Sequence, residues 1–261
     1  SPGPTRQEQL GHLVALFQEG QLEEAELLAR ALAEDLPDEA TVWKVLLGSL
    51  RGLGRGEEAV AAAQRIVALT PGDVTAHQNL AVLLAQSGQM GQAEQACLKA
   101  LEVDAAAPGL HHLHATVLEA LGRKQATISA LRSALSLDPN QPHVELQLAS
   151  ALFSLGRLDE AAEGYRGVVS RDPEHSEGWR KLGTSLALLG KHQEAEHAFQ
   201  RAIGLGPDDV VARSNLGNLL RSVGRLDEAV EWCESALSID PQHSPAHNNL
   251  GNALLALGKL A

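Results

Sequence analysis

Residues 179–207 read WRKLGTSLALLGKHQEAEHAFQRAIGLGP, and this stretch decides the fold. Apolar residues recur at helical spacing on both sides of Gly190, which indicates two amphipathic helices joined by a short turn. Glycine permits the positive φ that such a turn often needs. Pro207 ends the second helix, because proline has no backbone donor and restricts the residue before it. The stretch therefore predicts a helix, a tight turn, a second helix and a break.

The same arrangement recurs along the chain with a period of 34 residues. The turn glycines are Gly20, Gly54, Gly88, Gly122, Gly156, Gly190, Gly224 and Gly258, and prolines follow at Pro37, Pro71, Pro139, Pro173, Pro207 and Pro241. Ala105 stands where the missing proline would fall. The period predicts seven complete repeats that start near residues 6, 40, 74, 108, 142, 176 and 210, and the first helix of an eighth at 244–258. We expect 6–261 to form a single solenoid and 1–5 to be a tail or tag remnant.

A small residue follows most turn glycines by five positions. It is an alanine in six repeats: Ala25, Ala59, Ala93, Ala161, Ala195 and Ala229. Thr127 is the exception in a complete repeat. A small side chain that recurs at a fixed place in a helix predicts close approach of two helices, where a larger side chain would overpack the contact at about 1–3 kcal/mol.

The residues that recur define a known pattern. Within 179–207 it is carried by Trp179, Leu182, Gly183, Gly190, Ala195, Phe199, Ala202 and Pro207. In this spacing the chain resembles the tetratricopeptide repeat proteins over essentially all of 6–261. The resemblance implies an all-α fold, a right-handed superhelical α-solenoid of helix-turn-helix repeats, with a concave groove lined by the first helix of each repeat.

Composition narrows the classes of function. No run approaches 18 consecutive apolar residues, so no membrane insertion is expected. The formal net charge of −12 argues against nucleic acid as a partner. Cys97 and Cys233 lie inside helical patterns and are interpreted as buried free thiols, which fits a reducing, cytoplasmic location. Richness in alanine, leucine and glycine favours a bacterial origin.

No catalytic motif is present in the sequence. There is no Gly-rich phosphate loop, no Gly-x-Ser-x-Gly and no His-Glu-x-x-His, so these residues are not expected to form an enzyme or to hold a cofactor. The stretch HHLH places His111, His112 and His114 together. His111 and His114 occupy places that other repeats give to packing residues, so packing is the preferred interpretation and a metal site, which needs three or four ligands, is the alternative.

The resemblance also implies which residues face the groove, namely positions 2, 5, 6, 9, 12 and 13 of each repeat. The basic residues at these positions are Lys44, Arg51, Arg180, Lys181 and Arg221, and the acidic ones are Glu119 and Glu177. This balance predicts a mildly basic groove that prefers an extended, polar or acidic segment. The alternative is that so few charges are a chance excess.

Side-chain amides form a second pattern in the predicted groove. Position 6 is occupied by Asn79, Asn215, Asn249 and Gln147, and position 9 by Asn218 and Asn252. An amide offers both a donor and an acceptor, so it can pair with a peptide bond whatever the bound side chain is. A row of such amides predicts a peptide-backbone ladder. The alternative is that these residues only solvate an exposed helix face.

The amides are similar to those in the repeat arm of the O-linked N-acetylglucosamine transferases. That resemblance implies that Asn79, Asn215 and Asn249 contact a substrate backbone. The ladder here is incomplete, because position 6 is Gly11, Val45, Leu113 and Lys181 in the other complete repeats. A carboxylate clamp of the chaperone-binding type is not expected, since Lys44 and Arg180 are paired with Gly48 and Thr184 at position 9 and not with asparagine.

Three functions follow from these patterns. The leading hypothesis is a protein-interaction scaffold that binds an extended polypeptide in its groove. The second is the substrate-recognition arm of a glycosyltransferase, with a catalytic domain beyond Ala261. The third is self-assembly through the last helix, in residues 244–261, where Lys259 is the one formal charge. That uncharged helix predicts a fragment of a longer protein, or a natural terminus covered by a partner.

Overall fold

The computed structural model describes residues 5–258, which form fifteen α-helices and no strand. The first helices of the repeats are α1 (Arg6–Gln18), α3 (Ala40–Gly52), α5 (Val74–Gln86), α7 (Pro108–Ala120), α9 (Pro142–Ser154), α11 (Ser176–Leu188), α13 (Val210–Ser222) and α15 (Ser244–Ala256). The second helices are α2 (Leu22–Asp35), α4 (Gly56–Leu69), α6 (Met90–Val103), α8 (Lys124–Leu137), α10 (Leu158–Arg171), α12 (His192–Leu205) and α14 (Leu226–Ile239). The predicted fold class, an all-α solenoid of helical repeats, is confirmed.

The helices divide into two compact units between Pro139 and Asn140. In each unit every helix packs on its neighbours along the chain, so that α11 packs on α12, and α12 in turn on α13. First helices of successive repeats also meet, as α1 meets α3 and α13 meets α15. Each unit is therefore a stack of helical hairpins, and the interpretation of 6–261 as a single solenoid stays a prediction.

Local contacts mark the two ends of the described helices. Thr5 is the N-cap of α1: its side chain accepts a hydrogen bond from the backbone of Glu8, whose carboxylate accepts one from the backbone of Thr5 in return. This capping box satisfies two donors that a helix start leaves unpaired. At the other end α15 stops at Ala256, before the predicted end at 258. The rest of the predicted tail, 1–4, and the last residues, 259–261, lie outside the described residues.

The turn glycines have the backbone conformation that the sequence predicts. All eight have positive φ, between 68° and 83°. At Gly190 the glycine N–H donates to the carbonyl of Ala187, and the N–H of Lys191 donates to the carbonyl of Leu186. This pair of hydrogen bonds is a Schellman motif, which ends a helix with a residue in the left-handed region. Because an added Cβ at Gly190 would meet nothing within 4 Å, backbone conformation alone requires glycine there.

The small residues five positions after the turn lie in the centre of the helix contacts. Ala25, Ala59, Ala93, Ala161, Ala195 and Ala229 are all fully buried. Thr127, the exception, is 1% exposed. Its hydroxyl donates to the carbonyl of Arg123, so burying this polar atom leaves no unpaired donor.

A hydrogen bond recurs where one repeat meets the next. The side chain at position 4 donates to the carbonyl six residues earlier, at 2.8 Å from Trp43 to Pro37 and at 2.9 Å from Trp179 to Pro173. A histidine Nε2 takes the same place in three repeats and an arginine in one, the pairs being His77 with Pro71, His111 with Ala105, His247 with Pro241 and Arg213 with Pro207. His111 therefore has a structural partner, as the packing interpretation expects.

Ion pairs also recur between successive repeats. The arginine after a turn glycine pairs with a glutamate 29 residues earlier in three repeats: Arg55 with Glu26, Arg123 with Glu94 and Arg225 with Glu196. The carboxylates differ in burial, since the Glu94 side chain is 9% exposed and that of Glu196 is 23% exposed. The same spacing of 29 residues thus produces ion pairs that contribute differently to stability, because their carboxylates differ in burial.

Candidate functional site

The side chains at position 6 of the second unit reach back to the preceding first helix. Asn249 Nδ2 donates to the Ser214 carbonyl at 3.2 Å and to its hydroxyl at 3.0 Å. Asn215 Nδ2 lies 3.4 Å from Thr184 Oγ1. Each of these amides is held in place by a neighbouring helix, which a residue that only solvates a surface would not need.

These hydrogen bonds decide which half of each amide remains open. The Asn249 nitrogen faces a carbonyl, so its Oδ1 faces away, and within residues 5–258 that oxygen accepts no hydrogen bond. Asn218 is oriented the other way, because its Oδ1 accepts from Arg221 at 2.9 Å and its NH2 group is left to donate. The surface therefore presents an acceptor at Asn249 and a donor at Asn218, which together match the N–H and C=O of a peptide.

The remaining predicted amides have less defined surroundings. Asn79 lines a cleft in the first unit, between α3 and α5. Asn252 is exposed on α15. Gln147, on α9, also has an interaction partner. The structure thus fixes the orientation of Asn215, Asn218 and Asn249 most closely.

The predicted excess of positive charge is smaller in the structure. Arg180 pairs with Asp209 at 3.2 Å, and Lys44 lies 3.8 Å from Asp73. Both aspartates are N-caps of the next first helix, a position that the predicted groove set omits. The prediction of a mildly basic groove counted five cations and two carboxylates. It left out these two further carboxylates on the same face.

Lys181 is partly neutralised as well. Its ammonium lies 3.1 Å from Glu177 and donates to Ser150 Oγ at 3.0 Å. The hydrogen bond from Lys181 is the main reason that the pKa of Glu177 is lowered. Arg221 bonds to an amide, and Arg51 makes no ion pair with any described residue. Arg51 is thus the predicted cation with the most freedom to meet a ligand.

Three clefts lie on the predicted groove face of the described residues. In the second unit a cleft of about 270 Å³ is lined by Ser150, Phe153, Tyr165, Arg180, Lys181, Thr184 and Asn215. Tyr165 is 1% exposed, and burial raises the pKa of its hydroxyl, which bonds to Ser150 at 3.1 Å. A neighbouring cleft of about 200 Å³ shares Thr184 and Asn215 and includes the exposed Leu188. The third, of about 300 Å³, lies in the first unit.

A fourth cleft opens on the other face of α11. It has a volume of about 590 Å³ and lies among α10, α11 and α12. Trp179 lines it, with His197 edge-on at 5.9 Å and the Arg201 guanidinium 5.7 Å from the indole centre. Sequence reasoning assigned Trp179 only to the repeat pattern, and the sequence gives no signal that this cleft is open.

The histidines and thiols do not assemble a metal site. Within residues 5–258 no group of three or more histidine, cysteine, aspartate or glutamate side chains could hold a metal ion. His114 Nε2 is buried without a hydrogen-bond partner, and burial is the main cause of its lowered pKa. Cys97 and Cys233 are buried free thiols, with pKa values raised by burial to about 12 and about 11.

None of the described helices combines the length and the apolar character needed to cross a membrane.

The fold defines a protein built from helical hairpin repeats. Family models described as tetratricopeptide repeat match residues 10–74, 112–176, 146–210 and 180–244, with further models matching 50–117 and 232–261. The chain therefore belongs to the tetratricopeptide repeat family. Proteins of this family are generally protein-interaction scaffolds, and the repeat fold is typically non-catalytic.

Solved structures share the fold at low sequence identity. YrrB, described as a TPR protein with an unusual peptide-binding site, is 22% identical with a TM-score of 0.66, over 77% of this chain and 100% of its own. MamA is 21% identical with a TM-score of 0.60, over 62% and 95%. The C-terminal part of a TPR repeat-containing protein from Cytophaga hutchinsonii is 14% identical with a TM-score of 0.75, over 92% and 99%. A search of curated protein sequences finds no match.

Proposed function

We propose that this chain binds an extended polypeptide on the first-helix face of its repeats, and that asparagine side chains hold the backbone of the bound segment. The observation that carries the proposal is the fixed orientation of Asn249, whose nitrogen is bonded to Ser214 while its oxygen stays open. An amide held by a neighbouring helix loses little further freedom on binding, so more of its hydrogen-bond energy contributes to affinity.

The relatives and the surface chemistry support the same function. The description of YrrB assigns a peptide-binding site to a protein of this fold. In this chain the amides of Asn215, Asn218 and Asn249 lie on two neighbouring first helices, α13 and α15. Paired cations at Arg180 and Lys181 fit a polar or acidic segment better than a basic one, because their carboxylate partners can be displaced by a ligand carboxylate.

The test is the double substitution Asn215→Ala with Asn249→Ala. Binding is measured by fluorescence anisotropy with a panel of labelled twelve-residue peptides, one acidic, one neutral and polar, and one basic. Loss of two oriented amides should cost about 1–3 kcal/mol, or roughly 5-fold to 150-fold in Kd, for the peptides that bind. Helicity should stay close to that of the unmodified protein, and the melting temperature should fall slightly because the bonds to Thr184 and Ser214 are lost.

Gln92→Ala with Gln200→Ala is the matched control. These amides are exposed on the second helices α6 and α12, so their loss should leave Kd unchanged. Equal affinities for the asparagine variant and the unmodified protein would remove the ladder from the mechanism.

The other two hypotheses stay predictions. The recognition arm of a glycosyltransferase depends on chain beyond Ala261. Self-assembly through 244–261 has one favourable observation, the 65% exposure of Leu255 on α15. A molecular mass that stays constant across a hundredfold dilution would exclude self-assembly.

A further inference from the structure

The cleft of the first unit differs from the others in its combination of an apolar floor and a poorly neutralised rim. Leu47, Ala63 and Ile66 form the floor, and all three are buried. Lys44 and Arg51 stand at the rim with Asp73, and Asn79 completes one wall. The cleft holds about 300 Å³, which is enough for an aliphatic side chain.

The repeat register helps to explain why this cleft is open. Ala63 occupies the place that Tyr165 and Phe199 occupy in later repeats of the chain, where the aromatic ring is fully buried. Leu47 occupies the place of Gly183, whose added Cβ would meet the Phe199 ring at 2.8 Å. The leucine replaces part of the missing aromatic volume, and the remainder is the cleft.

The protein balances the rim charges only in part. Arg51 makes no ion pair with any described residue, and the Lys44 ammonium lies 3.8 Å from Asp73 without a hydrogen bond. Asp73 is itself engaged as the N-cap of α5, since its Oδ1 accepts from the Ala76 N–H at 3.1 Å. One carboxylate thus faces two cations, and the rim keeps a net positive charge. The cleft therefore favours an anionic partner.

The positions of the two cations set the spacing of that partner. Lys44 and Arg51 are seven residues apart on α3, or about 10 Å along the helix, with Leu47 between them. In an extended peptide, side chains two residues apart point to the same side. A Glu-x-Leu-x-Glu segment, about 13 Å from first to last glutamate, would place an aliphatic side chain over the floor and one carboxylate near each cation.

We propose that this cleft is a selective subsite for an acidic peptide segment with a central aliphatic residue, in which the aliphatic side chain enters the cleft and the flanking carboxylates pair with Lys44 and Arg51. This inference rests on the proposed function, because the subsite selects among the extended polypeptides that the first-helix face binds. It assigns side-chain selection to the cleft of the first unit.

The test uses three labelled peptides with blocked ends: Gly-Ser-Glu-Ser-Leu-Ser-Glu-Ser-Gly, the same peptide with alanine for leucine, and the same peptide with glutamine for both glutamates. The unmodified protein should bind the first peptide about tenfold more tightly than either of the others. Lys44→Gln with Arg51→Gln should remove the preference for glutamate over glutamine and leave the affinity for the glutamine peptide unchanged.

Lys99→Gln with Lys124→Gln is the matched control, since it also removes two positive charges, here from the exposed faces of α6 and α8. This control should keep the preference. Equal loss in both double variants would show general charge attraction and overturn the subsite, as would equal binding of the leucine and alanine peptides or no binding of any of them.

The asparagine variant separates this inference from the proposed function. If Asn215→Ala with Asn249→Ala weakens the twelve-residue peptides, the backbone ladder stands whether or not the cleft selects. If the cleft variant abolishes selection among the three nine-residue peptides and the asparagine variant keeps its affinity for the twelve-residue peptides, the subsite stands and the ladder is wrong.

Discussion

Gly190 carries the most direct test of a single residue. Its φ of 73° lies in the left-handed region, which costs a residue with a Cβ about 1 kcal/mol or more, and there is open space around it. We expect Gly190→Ala to lower the free energy of unfolding by about 1–2 kcal/mol, measured by urea denaturation followed by circular dichroism.

Gly204→Ala should change the free energy of unfolding in the opposite direction. Gly204 lies inside α12 with nothing within 4 Å of an added Cβ, so alanine there should raise the free energy of unfolding by about 0.5–1 kcal/mol through helix propensity. Two glycine-to-alanine changes of the same sign would contradict the assignment of backbone conformation as the cause.

His114 makes stability depend on pH. Burial lowers its pKa below that of the unfolded chain, and its Nε2 has no hydrogen-bond partner. As the pH falls through about 6.5, the unfolded state takes up a proton before the folded state does, so stability is lost down to the folded pKa and is then constant. His114→Leu should be more stable than the unmodified protein by a margin that widens from pH 7 to pH 5.

Leucine is the residue that Leu80 and Leu182 supply at the same place in other repeats, so the substitution fits the register. His192→Gln, at an exposed position, is the control and should leave the pH profile unchanged. The free energy of unfolding at several pH values measures both variants. A margin that does not change with pH would contradict a role for protonation.

At the scale of the elements, the ion pairs between repeats differ by burial. Arg123→Ala would leave Glu94 as a buried carboxylate without its partner, which should cost about 3 kcal/mol. Arg225→Ala removes the corresponding pair with the more exposed Glu196, together with the exposed pair with Glu228, and should cost less than Arg123→Ala. Urea denaturation of the two variants measures the difference, and equal costs would show that burial of the carboxylate does not control the pair.

The sequence predicts the elements well because their ends are coded locally. Turn glycines recur every 34 residues and prolines do so in all repeats but one, so the register of the helices follows from short-range chemistry. The contacts between elements do not follow from local sequence in this way. Asp73 and Asp209 were missed as groove carboxylates because a helix cap is not a helical face position. The hydrogen bonds from Asn215 and Asn249 reach the preceding first helix. They depend on the distance between repeats, which spacing along the chain does not determine.

At the scale of the whole molecule, each repeat should respond to its neighbours more than to distant repeats. Ala161 is fully buried in the contact of α10 with α9, so Ala161→Leu should overpack it by about 1–3 kcal/mol. We expect hydrogen exchange to rise in α9 to α12 and to change little in α3 to α6.

Ala126→Leu is the control, because Ala126 is exposed on α8. Amide exchange followed by mass spectrometry, together with the melting temperature, compares the two variants. A uniform rise of exchange along the chain would indicate a single cooperative unit, and an unchanged melting temperature would show that Ala161 is not a close helix contact.

The hydrogen bond found at six of the seven repeat junctions bears on how such chains diverge. Tryptophan, histidine and arginine have little in common in volume or charge, but each brings an N–H to the same carbonyl. A lineage can exchange these three residues and keep its repeats joined, whereas phenylalanine, although close to tryptophan in shape, would leave the carbonyl without a donor.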